Sequence, residues 1–236
     1  MESVGRLAGG VAHEANNQMS VILGLASFAL ARTDLPDSLR PDITRIKSAA
    51  QHTATITRQL LAFSRRQLLE PRVLDLNAAI RAFRPMLGEI LGDGIELQLD
   101  LSPELPPVEI DERQLQLALR TLAENARDSM TTGGRLTLES RKRVLRERWT
   151  PARDVSVEPG TYVEVAVRDT GAGMDRETLT HLFEPFFTTK DVGRGTGLGL
   201  ASVYGIVKQS GGYVFAESSP GQGACFRIVF PAHLGS

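Results

Sequence analysis

The sequence predicts an α+β protein in two parts: an N-terminal antiparallel helical hairpin over residues 1–70, then a mixed sheet-and-helix domain over residues 71–236. Three observations predict it. Residues 2–69 carry apolar positions at alternating three- and four-residue spacing, which keeps one stripe on one side of a supercoiled helix. From about residue 72 the pattern switches to short alternating runs rich in branched and aromatic residues, as in strands. Between the two zones "EPR" (70–72) reads as a linker.

In the first zone, Val4, Ala8, Val11, Ala15, Gln18, Ile22, Leu25 and Ala29 form one stripe, and Ile43, Ile46, Ala50, Thr53, Thr57, Leu60 and Ser64 a second. The segment between them, "TDLPDSLRPD", contains Pro36, Pro41 and several turn formers, so the stripes belong to two helices joined by a loop. Two helices bury little surface alone. Pairing two hairpins across a dimer, as a four-helix bundle, is the natural remedy.

In the second zone "IELQLDL" (95–101), "RLTLES" (135–140), "YVEVAVRD" (162–169), "YVFAES" (213–218) and "CFRIVF" (225–230) read as strands. Helical patterns cover about 77–91, 112–130, 175–182 and 198–210. Asp111 with Gln114 reads as an N-cap and capping box for the second of these. Pro85 should kink the first. Residues 142–160, with Trp149, Pro151 and Pro159, read as a long loop joining two strands.

Composition narrows the function. A net charge of −1, from 27 basic and 28 acidic residues, gives no reason to expect nucleic acid or a polybasic membrane contact. The single cysteine, Cys225, allows no internal disulfide and fits a reducing, cytoplasmic setting. The longest weakly polar run, residues 21–31, is too short to span a bilayer and is broken by Gly24 and Ser27. The chain is therefore expected to be soluble, with no membrane contact of its own. Functional-looking sequence begins almost at Met1, which points to a piece of a longer protein whose input domain lies elsewhere.

Four segments carry the chemistry. "DTGAGMD" (169–175) follows directly on a strand, with Asp169 at the strand end and Gly171 and Gly173 free to turn sharply against a ligand. Taken alone, it is equally a capped glycine turn. "GRGTGLGLASVYGIVKQSGG" (193–212) alternates glycines into an apolar helix, and a helix start presents free N–H groups that suit phosphate oxygens. No Gly-Lys-Ser/Thr follows these glycines, and no strand immediately precedes them, so neither a P-loop nor a Rossmann reading holds. "LAENARDSM" (122–130) puts Asn125 on a helix expected to pack on a sheet. "LFEPFFTTK" (182–190) sets Phe183, Phe186 and Phe187 around a proline ahead of the glycine segment, either as core or as the anchor of a lid. At the N-terminus, "VAHEANNQMSVI" (11–22) places His13, Glu14 and Asn17 on a helix that packs against something.

The order of these segments resembles the sensor histidine kinases of two-component systems. An Asn on a helix, Asp-x-Gly-x-Gly, a Phe-rich segment and Gly-x-Gly-x-Gly-Leu look like their ATP-binding catalytic domain, which is shared with gyrase-type and Hsp90-type ATPases. "GGVAHEANNQMSVILG" looks like the phosphoacceptor box of their helical dimerisation and phosphotransfer domain. The resemblance covers about residues 4–231. It implies an α/β-sandwich of the Bergerat type after the helical domain, ATP and Mg2+ as cofactors, a homodimer, and a response-regulator receiver domain as partner.

It also implies roles. His13 would be the phosphoacceptor, Glu14 its acid or base, and Asn17, one helical turn on, the residue that orients a water for removing phosphate from the partner. Asp169 would accept a hydrogen bond from the adenine amino group, in a pocket shaped by Gly171 and Gly173. Asn125 would hold Mg2+. Gly195, Gly197, Leu198 and Gly199 would line the phosphates, with Lys190 reaching them from the lid. Met19, Leu23 and Ala26 would help to choose the regulator. Two departures stand out. Thr121 occupies a position where the family often has a further Asn, and Glu124 sits beside Asn125, read as solvated. His52, His181 and His233 have no such context and read as ordinary residues. Two other functions compete: a dimeric phosphotransfer or scaffold module without kinase activity, and a clamp ATPase whose acceptor is water. Intact nucleotide motifs oppose the first, and the His-Glu-x-x-Asn box opposes the second.

Overall fold

In the computed structural model the described residues are 18–19, 21–32, 35, 36, 38–50, 53, 70–152, 155–185, 187–190 and 196–235. The chain divides into two compact units, Met1–Leu68 with Lys190–Leu198, and Leu69–Thr189 with Gly199–Ser236. No described helix is long and apolar enough to cross a membrane.

In the first unit, residues 21–31 (α1) and 40–50 (α2) are helical. The Arg40 guanidinium at the start of α2 donates to the Leu30 and Arg32 carbonyls at the end of α1, where helix carbonyls lack partners of their own. Ala26 and Ala50 are buried within the chain, whereas Val21, Leu25 and Phe28 are exposed, the last two at 65% and 70%. The predicted stripe therefore splits. Ala26 faces inward with Ile22 and Ala29 half-buried beside it, and Leu25 belongs to a second apolar face with Val21 and Phe28. On α2, Ile43 and Ala50 turn inward, but Ile46 is exposed, as is Thr53 further along the chain. A buried Ala26 has no surface left to offer a regulator, so it is removed from the residues expected to select one.

The second unit is built on a five-stranded sheet, in the order β2-β4-β7-β9-β8 once its strands are numbered along the chain. The chain enters through β1 (Arg72–Leu74), α3 (Leu76–Leu91), β2 (Ile95–Leu101), β3 (Val108–Ile110) and α4 (Glu112–Ser129). It continues through β4 (Gly134–Leu145), β5 (Trp149–Ala152), β6 (Val155–Val157), β7 (Gly160–Asp169), α5 (Arg176–His181), α6 (Gly199–Gln209), β8 (Tyr213–Ser218) and β9 (Ala224–Pro231). Strands β2 and β4 run parallel, and the other neighbours are antiparallel.

Alternation decides what each face of the sheet meets. Val163, Val165 and Val167 of β7, with Phe226, Ile228 and Phe230 of β9, join the core formed with Leu76, Ile80 and Leu87 of α3, Leu115, Leu119 and Leu122 of α4, and Val203 and Val207 of α6. α4 lies between α3 and α6. α3 and α4 each start at an aspartate cap. Asp75 Oδ1 accepts from the Asn77 and Ala78 N–H groups, and Asp111 Oδ1 from those of Arg113 and Gln114. The buried Asn77 locks α3 to the sheet, donating to the Ser102 carbonyl and accepting from the Ser140 hydroxyl.

Three details differ from the sequence reading. Residues 142–160 are not a loop: β4 runs on to Leu145, β7 begins at Gly160, and β5 and β6 pair between them. The reason is a second apolar cluster on the outer sheet face, where Trp149 meets Phe215 edge-on at 5.4 Å with Val157, Tyr162 and Val229 around them. "EPR" is not a free linker, because Arg72 opens β1, which pairs with β3, and the Glu70 N–H donates to Asp111 Oδ2. Neither β1 nor β3 was predicted; three residues are too short for a period. Pro85 lies inside α3, which is helical on both sides of it.

Candidate functional site

Strand β7 ends at Asp169, whose odd-numbered position puts its side chain on the helix face, beside the end of α4. The carboxylate is buried, with 5% exposure. One oxygen, Oδ1, accepts from the N–H of Gly171 at 2.8 Å, the N–H of Ala224 at 3.2 Å and the hydroxyl of Ser129 at 3.5 Å. The other, Oδ2, has no donor among the described residues. Burial pushes the carboxyl up from the usual value of 3.8, against the opposing pull of those three donors. A buried carboxylate with one satisfied oxygen and one open oxygen is matched by a ligand N–H donor.

The loop after Asp169 is held closely. A side chain at Gly171 would meet Ser129 Oγ at 2.1 Å, and one at Gly173 would meet the Ser219 carbonyl at 2.1 Å, at a φ of +70°. Only glycine lets the backbone lie this close, so both predicted glycines sit where a Cβ has no room. Thr170 ties the loop to the edge of β4, its hydroxyl accepting from the Arg135 N–H and its own N–H donating to the Arg135 carbonyl.

Asn125 lies half-buried on α4, one helical turn before Ser129 and one turn after Thr121. Ser129 reaches Asp169, and Thr121 Cγ2 lies 3.2 Å from where a Cβ on Gly199, the first residue of α6, would be. Thr121, Asn125 and Ser129 therefore form a polar rail along α4, from the start of α6 to the end of β7. Glu124 points elsewhere, to Arg120 at 2.9 Å, and Arg127 pairs with Asp128. Among the described residues no cluster of three His, Cys, Asp or Glu is placed to hold a metal.

The structure thus brings together Asp169, Gly171 and Gly173, and sets Asn125 on a rail between them and Gly199. Lys190, Gly197 and Leu198 are grouped with the helical unit; Gly197 has a φ of +64° and Leu198 is buried. His13, Glu14, Asn17 and Gly195 lie outside the described residues, as do Phe186 and His52. Of the phenylalanine segment, Phe183 packs on Tyr204 of α6 at 5.7 Å, and Phe187 lies 5.7 Å from the ring of His181. His181, read as an ordinary residue, has Nδ1 2.8 Å from Glu184 Oε1. Sequence reasoning missed Ser129 and Ala224. Ser129 was legible as the residue one turn after Asn125. Ala224 carries no signal, because its backbone and not its side chain contributes.

The chain is similar to known proteins. A model of the histidine kinase-, DNA gyrase B- and HSP90-like ATPase family matches residues 110–234, and a His Kinase A (phospho-acceptor) domain model matches residues 3–68. The sensor kinase CckA of Brucella abortus (strain 2308) is 43% identical over 237 residues, covering 98% of this chain and 24% of its own. The sensor histidine kinase ZraS of Klebsiella oxytoca is 33% identical over 233 residues, covering 98% of this chain and 46% of its own. Among solved structures, full-length ShkA in complex with AMPPNP superposes with a TM-score of 0.74 at 25% identity, over 98% of this chain and 46% of that one. The chain spans about a quarter to just under half of the length of these relatives. With a phospho-acceptor domain ahead of a kinase-type ATPase domain, the chain belongs to the sensor histidine kinases.

Proposed function

We propose that this chain is an ATP-dependent protein-histidine kinase that transfers the γ-phosphoryl group of ATP to His13, then to an aspartate of a response-regulator receiver domain. The observation that carries the reading is Asp169, a buried carboxylate with one open oxygen behind a glycine-shaped loop. Its Oδ2 would accept the adenine 6-amino N–H. The rail on α4 then leads along the nucleotide toward the start of α6, where backbone N–H groups at a helix N-terminus favour phosphate oxygens.

Asn125 would hold Mg2+ through its side-chain oxygen. One neutral oxygen is enough for an ion that takes its other ligands from phosphate and water. When bound, Mg2+ neutralises charge on the phosphates. Lys190, Gly195, Gly197, Leu198 and Gly199 would enclose them. An imidazole nitrogen of His13 would attack the γ-phosphorus as the bond to the ADP oxygen breaks, with Glu14 taking the ring proton. Asn17 would orient water for the reverse duty, removing phosphate from the regulator. The exposed apolar face of Val21, Leu25 and Phe28 supports a homodimer that completes a four-helix bundle. We place the reaction in the cytoplasm, where ATP is supplied. We also propose the division of labour at about residue 70, with phosphotransfer in 1–70 and ATP binding in 71–236.

The test is incubation with γ-labelled ATP and Mg2+, for the wild type and His13→Ala. Acid-labile, base-stable label that disappears in His13→Ala is expected. ATP consumption that leaves no label on either form would overturn the kinase reading in favour of a clamp ATPase. Neither label nor ATP binding would leave only a phosphotransfer scaffold.

A further inference from the structure

We propose that Ser218 is a positioning residue for base recognition, a clasp that holds the turn 219–223 against the Asp169 loop so that Oδ2 of Asp169 is aimed at the base. It rests on the reading of Asp169 as the adenine acceptor. Ser218 is the last residue of β8, opposite Ala224 in the β8–β9 register. Its hydroxyl accepts from the Met174 N–H at 2.8 Å and donates to the Gly223 carbonyl at 2.6 Å. One side chain therefore joins the far end of the Asp169 loop to the end of the turn. A second tie runs beside it, from the Gly221 N–H to the Ala172 carbonyl at 2.7 Å.

The two segments touch without side chains between them, since an added Cβ on Gly173 would lie 2.1 Å from the Ser219 carbonyl and one on Gly223 would lie 2.0 Å from the Asp169 carbonyl. The residue after Gly223 is Ala224, whose N–H donates to Asp169 Oδ1. The carboxylate's orientation thus depends on a backbone N–H supplied by the turn, and Ser218 fixes where the turn sits. Without the hydroxyl, the Met174 N–H and Gly223 carbonyl lose their shared partner, and the turn can slide with Ala224. Bound purines with a 6-amino donor would suffer most.

The experiment titrates the 236-residue chain with ATP and with inosine triphosphate, which carries a 6-oxo acceptor in place of the amino donor. The wild type is expected to prefer ATP. Ser218→Ala should lower that preference about fivefold or more, and Ser218→Thr, which keeps the hydroxyl, should restore it. A preference unchanged in Ser218→Ala but abolished in Asp169→Asn would overturn the clasp and leave the Asp169 reading standing. Equal binding of both nucleotides by the wild type, unaltered in Asp169→Asn, would overturn the Asp169 reading itself. Should Ser218→Ala not fold, Ser218→Cys keeps the volume with a poor hydrogen-bonding group, and the same ratio decides.

Discussion

Strand β7 carries two buried carboxylates five residues apart, and they are treated in opposite ways. Glu164, 3% exposed, faces the outer side of the sheet, where Arg143 Nε reaches Oε2 at 2.7 Å and Arg227 Nη1 reaches Oε1 at 2.8 Å. Both oxygens are charge-paired. Arg143 also lies 4.4 Å over the ring of Trp149, and Arg227 continues to Glu217. Asp169 has no arginine, only neutral donors, and all of them fall on one oxygen. The lesson is that burial alone does not mark a functional acid. A carboxylate sealed by its partners holds the fold together, and one left half-satisfied against its own burial is available to a ligand.

The sharpest break of this comparison is at the sealed end. Glu164→Ala strands two partly exposed guanidiniums and should destabilise the domain by about 2–3 kcal/mol, below the value for a fully buried pair because water reaches both arginines. ATP affinity should stay within about twofold, so denaturant unfolding and nucleotide titration together test the assignment. At the open end Asp169→Asn should do the reverse: ATP affinity falls about thirtyfold, while nucleotide-free stability is not lowered.

Trp149→Ala tests whether the outer cluster belongs wholly to the sealed side. Losing its ring contact with Phe215 and the Arg143 stacking should cost about 1–2 kcal/mol, with no change in nucleotide affinity.

The smallest effect is in pH. The Asp169 carboxyl is raised above 3.8 by burial, so between that value and its folded pKa the native state holds a proton that the unfolded chain has released. The contribution of Asp169 to nucleotide-free stability should therefore be highest below this window and decline as pH rises through it. The wild type should lose ground to Asp169→Asn over the same interval in paired thermal melts. A wild type that instead gained on the variant would mean that the open oxygen is not a strained one.

Much of the fold was legible because its long elements have a period. The strands at 95–101 and 213–218 appear with the boundaries that the pattern predicts, and the N-cap read from Asp111 with Gln114 is present at Asp111. Trp149 shows why the rest was not. It sits in a stretch with prolines, which reads as a loop, and becomes a strand because Phe215, far along the chain, offers it a surface. β1 and β3 likewise exist only as a pair. In the candidate site the glycines and Asp169 were visible as a motif. Ser218 and the Ala224 N–H were not, since a hydroxyl and a backbone amide in a turn carry no distinctive spacing.

The sequence by itself determined the order of motifs, the family they belong to, and the face of β7 on which each carboxylate lies, because alternation is a local property of an extended chain. Only the tertiary structure decided which carboxylate would be closed and which left open. Arg143, Arg227, Ser129 and Ala224 come from separate strands and a helix, and a hydrogen bond forms where the fold brings donor and acceptor together, not where the chain places them in line.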